Sequence, residues 1–436
     1  MKKRFSVVLI AILALSLVVV GCGSNKEAAP KKDTEEKAVA LDKRELSKQV
    51  TIKFWEKESV KFDKKTMTPL IKKFEKKYPN INVDRTHMGI EDLRKNTQTA
   101  YMGGKGPDVV WSPFDHIGPF SAMGIAQPLD KLMSDELKNR YIDSALPGMS
   151  LKGNVYGVPV TMGNHLMLYY NKDLVNQVPK TWEELIKIAK KATKDTTGDG
   201  KTDQYGLVYN SAEPFWWVVF HGGFGGWVFD KEYNPTLDTK ATKQAMQFVH
   251  DLEFEHKIIP KECGYNVADS LFKKGKAAFI INGVWALNGY TESEKIDAGV
   301  AVLPKFEATG KYAQPMTSGA GLIMMSGLPE AKQIAVMKFI KFMTSQEAQK
   351  TIVKHHKRLP SNKVVYDLPV IKNNPVMKVS GEQLRKGRAM PVVPEMRAVW
   401  DAIRPALQSV MSGDLAPAKA PAKIQETAEK KIKQMK

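Results

Sequence analysis

The sequence predicts an α/β protein of two lobes, and three observations carry that expectation. Strand and helix patterns alternate from residue 50 onward in the order β-α-β-α-β, which calls for an α/β layer with a largely parallel sheet. About 390 of the 436 residues have globular composition, too many for one hydrophobic core and comfortable for two. The chain has only two cysteines, Cys22 and Cys263, so no disulfide framework replaces packing and each lobe must carry an ordinary core.

Taken in order, VTIKFWE (50–56) alternates apolar and polar residues as a half-buried strand does. Residues 67–78 place Leu70, Ile71 and Phe74 on one helical face. INVDRTHM (81–88) reads as a second strand, 91–102 as a helix, and GPDVVWS (106–112) as a buried strand introduced by a Gly-Pro turn. Strand patterns return at NVYGVPV and HLMLYYNKDLV. In PKTWEEL, Thr181 with Glu184 three residues on is a capping box that opens a helix. QAMQFVHDLEFEHKI is amphipathic, and KAAFIINGVW is a strand running into a loop. The segment 328–355 holds two helices, the second expected to start at Thr344 with Glu347. A helix over 397–411, an Ala/Pro/Lys break and a charged helix from Lys423 end the chain.

The N-terminus has a different character. Lys2, Lys3 and Arg4 precede an apolar run over 5–20, too short to span a bilayer comfortably, and Val19-Val20-Gly21-Cys22 follows. These residues resemble the lipobox of bacterial lipoproteins, which implies a signal peptide over 1–21 and a diacylated Cys22. Two acyl chains suffice for stable anchoring. Residues up to 43 are rich in Lys, Glu, Ala and Ser and cannot bury enough surface to fold, so 22–43 is expected as a lipidated tether. The protein is therefore expected on the outer face of the cell membrane. The formal charge of +19 is spread along helix faces without interleaved aromatics, which argues against a nucleic-acid partner.

IKKFEKKYPNINV, GKGPDVVW, FDHIGPFSAMGIAQPLD, YGVPV, YYNKDLV and PKTWEEL follow one another in an order that resembles the extracellular solute-binding proteins of carbohydrate ABC importers. FKKGKAAFIINGVWAL, VAVLPKF and MPVVPEMRAVWDAIRPAL resemble the maltose/maltodextrin-binding branch of that family. The resemblance implies a periplasmic-binding-protein-like fold with discontinuous lobes and a hinge. Its N-terminal lobe would take 44–162 plus 307–358 and its C-terminal lobe 163–303 plus 360–436, with crossings near 162–164, 302–306 and 357–361. It further implies a monomeric receptor that delivers an oligosaccharide to ABC permease subunits, with no catalysis and no required cofactor.

An oligosaccharide presents hydroxyls that want charged or amide partners and ring faces that stack on aromatics. On that basis the resemblance points to Trp285 and Trp400 as stacking residues, each of which would otherwise be read as core. Phe215 falls where the family has a stacking tyrosine. Asp115 and Glu213 match hydroxyl-binding acids, although Asp115 also suits a turn cap. Arg404, four residues after Trp400, matches a cleft arginine or serves a cation–π contact. His116, Asn164, Ser112 and Asp401 depart from the family's residues, and Trp111 beside Ser112 is the candidate to reach the cleft in its place. Glu58 and Lys61 are looser candidates for an acid–lysine pair. These departures leave the sugar open: maltodextrin, galacto-oligosaccharide or cyclodextrin. An exported glycoside hydrolase would need two carboxylates at a set separation; Asp115 and Glu213 could meet in the cleft, but no hydrolase motif surrounds either one.

DTTGDGKTDQYG (195–206) places Asp195, Thr197, Asp199 and Asp203 at the spacing of a calcium loop, with Gly200 at its sixth position but no closing glutamate. A Gly-Asp turn is the alternative. Cys263, left without a partner, is expected to be buried.

Overall fold

The computed structural model describes residues 40–57, 64–143 and 145–435, and Val39–Lys436 forms one compact unit. The signal segment, Cys22, most of the tether, and Glu58 with Lys61 lie outside the described residues. No helix among the described residues is long and apolar enough to cross a membrane.

The first lobe is built on β1 (Val50–Glu56), α1 (Met67–Lys77), β2 (Ile81–His87), α2 (Ile90–Met102) and β3 (Val109–Pro113). The second opens with β4 (Val158–Met162), which still belongs to the first sheet, and β5 (Leu166–Asn171), which does not. Then come α3 (Trp182–Ala192), β6 (Tyr205–Val208), α4 (Pro214–Gly223), α5 (Lys240–Phe254), β7 (Ala277–Gly283) and β8 (Ala298–Ala301). The chain returns through β9 (Gly319–Met324), α6 (Glu330–Met343), α7 (Gln346–His356) and β10 (Leu359–Pro360). It closes with α8 (Pro375–Lys386), α9 (Glu395–Met411) and α10 (Ala420–Met435).

Two sheets result. The first has the order β10-β4-β9-β3-β1-β2 and the second β8-β5-β7-β6. The expected parallel unit is present, since β1 pairs in parallel with both β2 and β3. The rest of the first sheet is antiparallel: β9 runs against β3 and β4, and β10 against β4. That part departs from a largely parallel sheet because β9 enters on the chain's return from the second lobe, against the direction of the strands already laid down.

Each lobe packs its own aromatic core. Phe74 lies 5.1 Å from Phe339 and 5.5 Å from Phe342, with Phe54 5.0 Å from Phe339. In the second lobe Trp182 packs on Phe220 and Phe248 at 5.3 Å and stacks on Phe306 at 5.6 Å. Phe306 thus fixes a boundary. Thr309 Oγ1 donates to Gly223 O and the Gln314 amide N–H to Val219 O, so the segment from Leu303 to Gln314 lies on α4 in the second lobe. The second crossing is therefore at Ser318, not at 302–306. There Ser318 O accepts from the backbone N–H groups of Gly163 and Asn164, so the first two crossings are hydrogen-bonded to each other.

The third crossing also moves. Lys363 N donates to Arg140 O and Asn362 Nδ2 to Thr344 O, which keeps both on the first lobe. α8 belongs to the second, its Gln383 accepting from Leu303 N. The crossing falls between them, not at 357–361. At the N-terminus the fold begins before residue 44: Leu41 is buried, and buried Asp42 accepts from Ser134 N, Ser134 Oγ and Lys341 Nζ.

The Thr181 cap forms as expected, with Glu184 N donating to Thr181 Oγ1 at 3.2 Å. The cap of α7 is Ser345, whose Oγ accepts from Ala348 N, while Thr344 bonds back to Ile340 O as the end of α6. Cys263 is a buried free thiol.

Candidate functional site

The two lobes present side chains to the cleft between them by one local device, used twice. β3 ends in a 3₁₀ turn, Phe114–His116, followed by a short helix, Ile117–Ala122. β7 ends in a 3₁₀ turn, Val284–Ala286, followed by Leu287–Thr291. In each turn the outer residues are buried and the middle one, Asp115 or Trp285, is left half-buried. One lobe thus offers a carboxylate and the other an indole at loops beyond the strand carboxyl ends, where open α/β sheets bind ligands.

The second lobe adds two helices. Glu213 is the N-cap residue of α4, yet its side chain makes no capping bond. Its carboxylate instead accepts from Arg404 Nη1 on α9. Phe215 and Trp216 follow in the first turn. Trp216 Nε1 donates to Ile281 O at 2.9 Å, and its ring meets Trp285 edge-on at 6.0 Å. Phe215 lies 6.3 Å from Trp285, whose Nε1 donates to Tyr265 Oη at 3.2 Å. On α9, Arg397, Trp400 and Arg404 recur at helical spacing and share the cleft face.

These residues enclose a cavity of about 450 Å³ whose wall also includes Asp115, His116 and Asn164. Its rim is closely set. A Cβ on Gly118 would lie 2.4 Å from Val392 O and 2.9 Å from Pro394 N, so the first lobe's short helix rests against the segment leading into α9. A second compartment of about 280 Å³ continues past Trp400, sharing Asp115, His116 and Arg397 with the first.

The family of bacterial extracellular solute-binding proteins matches residues 69–379. The chain belongs to that family. It is 39% identical to the maltose/maltodextrin-binding domain of Bdellovibrio bacteriovorus bound to maltotriose, with a TM-score of 0.82 over 88% of this chain and 100% of that one. It is 29% identical to the maltotriose-binding protein of Pyrococcus abyssi over 73% of this chain and 69% of that one. It is 28% identical to the galactooligosaccharide-binding protein of Bacillus subtilis over 99% and 98% of the two chains.

In this solute-binding protein eight of the nine sequence-derived site residues line the one cavity: Asp115, His116, Asn164, Glu213, Phe215, Trp285, Trp400 and Arg404. Trp111 is the exception. It sits in the middle of the first sheet between β1 and β9, fully buried, because strand alternation points it into the core layer. Ser112 faces the other way and bonds the His116 ring at Nδ1. Asp401 pairs with Arg397 at 3.1 Å.

Sequence reasoning missed Lys57, Trp216, Arg358, Met390 and Arg397, all on the cavity wall. Trp216 and Arg397 were within reach, since one adjoins Phe215 in EPFWW and the other precedes Trp400 by one helical turn. Lys57 and Arg358 arrive at strand and helix ends from distant parts of the chain and carry no local signal.

The calcium-loop residues are held by protein donors. Asp195 accepts from the backbone N–H groups of Thr197, Gly198 and Gly200, and Asp199 from Lys201 N. Asp203 turns away to Thr196 and to Lys276 Nζ at 2.7 Å, and these donors hold its carboxyl well below the usual range. Among the described residues no three His, Cys, Asp or Glu side chains gather closely enough to share an ion.

Proposed function

We propose that this solute-binding protein captures maltodextrin-type oligosaccharides in the cleft between its lobes and delivers them to the permease subunits of an ABC importer. The observation that carries the reading is the composition of the cavity wall. Phe215, Trp216, Trp285 and Trp400 supply apolar faces for sugar rings, while Asp115, Asn164 and the Glu213–Arg404 pair supply acceptors and donors for the hydroxyls around them. About 450 Å³, with a further 280 Å³ adjoining, suits a ligand longer than a monosaccharide. Capture requires only that closed lobes bind more tightly than open ones, and no cofactor enters.

Catalysis is not part of this reading. Asp115 and Glu213 come from different lobes, and the Glu213 carboxylate is already bonded to a guanidinium, a placement for accepting hydroxyl hydrogens. The outer-face location rests on the segment ending at Cys22. Palmitate labelling that is lost in Cys22→Ser tests the anchor.

A galacto-oligosaccharide is the second reading, favoured by the near full-length match to the Bacillus subtilis relative. Tryptophan fluorescence of the chain from Val39, titrated with maltose, maltotriose, longer maltodextrins, cyclodextrin and galacto-oligosaccharides, separates the two. A saturable response to α-glucans, lost in Trp285→Ala and Trp400→Ala with no sugar cleaved, supports the first. A response to galacto-oligosaccharide alone supports the second, and hydrolysis of any sugar overturns both.

A further inference from the structure

Away from the cleft, on the second lobe, three chain segments enclose a pocket of about 380 Å³. The segment after α4 contributes Gly225, Lys311 stands on the loop before β9, and Lys386 and Arg388 follow from the end of α8. Gln314 fastens two of these segments together, its backbone N–H donating to Val219 O and its Nε2 to Lys386 O.

Ring faces, more than carboxylates, position the pocket's cations. Lys386 Nζ lies 3.8 Å over the Tyr312 ring, and the Arg388 guanidinium lies 4.2 Å over the Trp227 ring. Ring faces hold a cation in place while leaving its charge uncompensated. Lys311 folds over Gly225, close enough that a Cβ there would lie 2.8 Å from Nζ. Among the described residues Glu382, 3.4 Å from Lys386, is the one carboxylate in ion-pair range of these three cations. Gly225 has a φ of +86°, a conformation that suits glycine, so the floor carries no side chain that would fill the space beneath the cations.

We propose that this pocket is a second binding site, distinct from the sugar cleft, that takes a phosphate-type oxyanion between Lys311, Lys386 and Arg388. Three cations lining one pocket match the several oxygens of such a group, and the arginine fork supplies paired donors to it. The oxyanion comes either as free phosphate or as a phosphate-bearing headgroup at the membrane face. The inference does not depend on the identity of the sugar.

Calorimetric titration of the chain from Val39 with inorganic phosphate, at low ionic strength in chloride, tests it. The expected result is saturable binding that Lys311→Gln and Arg388→Gln each weaken about tenfold, at unchanged melting temperature. Lys354→Gln, a surface lysine on α7, leaves it unchanged. Co-sedimentation with phosphatidylglycerol vesicles, against phosphatidylcholine, separates the sources: retention lost in Arg388→Gln assigns the headgroup, and phosphate binding without retention assigns the free ion. Absence of both, or binding indifferent to Lys311→Gln and Arg388→Gln, overturns the proposal.

Discussion

Arg404 on α9 bonds Glu213 at the start of α4, joining residues 191 positions apart into one hydrogen-bonding unit on the cleft wall. Both side chains remain partly exposed, at 36% and 27%, so the pair adds little to stability. Its value lies in orientation, because an arginine clamp fixes the carboxylate toward the sugar. Arg404→Ala is expected to weaken oligosaccharide binding by about ten- to hundredfold while moving the melting temperature by no more than ~2 °C. Arg404→Lys recovers only part of the affinity. Calorimetry and thermal melts of the two variants check this, and wild-type affinity in Arg404→Ala contradicts it.

Trp285 is braced by Trp216 at 6.0 Å and by its own hydrogen bond to Tyr265. A braced ring loses little entropy on stacking a sugar. Trp285→Ala removes about 1.5–3 kcal/mol of contact, a ten- to hundredfold loss of affinity. Tyr265→Phe keeps the packing and breaks only the brace, so its expected loss is severalfold. Equal losses in the two variants would show that the indole's role is the hydrogen bond.

Closure of the lobes has a steric limit at Gly118, whose backbone meets Val392 and Pro394 with no room for a methyl group. Gly118→Ala wedges these surfaces apart without changing any side chain that lines the main cavity. The expected outcome is affinity reduced at least tenfold, with a larger radius of gyration in the sugar-loaded form by X-ray scattering. An unchanged scattering curve would mean that the rim yields.

In the loop over 195–206, Thr196, Asp203 and Lys276 bond one another, and on that basis the loop is expected to hold its shape without a cation. Chelator is expected to leave the melting temperature unchanged, whereas Lys276→Met lowers it. A rise of several degrees with millimolar calcium would instead support the calcium-loop reading.

How much of this was legible beforehand depends on how local the signal is. The Thr181 cap, the buried strand FIING and the α9 stripe through Trp400 are set by neighbours within one or two turns, and the structure has all three. The crossings are not. Ser318 became a crossing because Phe306 packs on Trp182 and Gln314 bonds Val219, contacts between segments far apart that no spacing encodes. Trp111 shows the same limit at the scale of one residue. Register decides which of two adjacent side chains faces the core, and a single-residue choice there moves a tryptophan from the cleft to the interior.

Two buried histidines make stability depend on acid. His165, just past the first crossing, bonds Ser380 Oγ at 3.3 Å and leaves Nδ1 without a partner. His221 stacks on Trp217 and bonds Thr242 Oγ1, again with Nδ1 unpaired. Burial lowers each to about 3. The unfolded chain takes up these protons near 6.5 and the folded chain does not, so stability is full above pH 6.5 and is lost as pH falls toward 3. Each histidine contributes a slope of about 1.4 kcal/mol per pH unit inside that window. Urea melts at pH 7, 6 and 5 are expected to show falling midpoints at constant slope. His221→Gln, which keeps a polar group beside Thr242, should flatten the pH dependence by about half at the cost of some stability at pH 7. A pH dependence equal to wild type in that variant would place the acid sensitivity elsewhere.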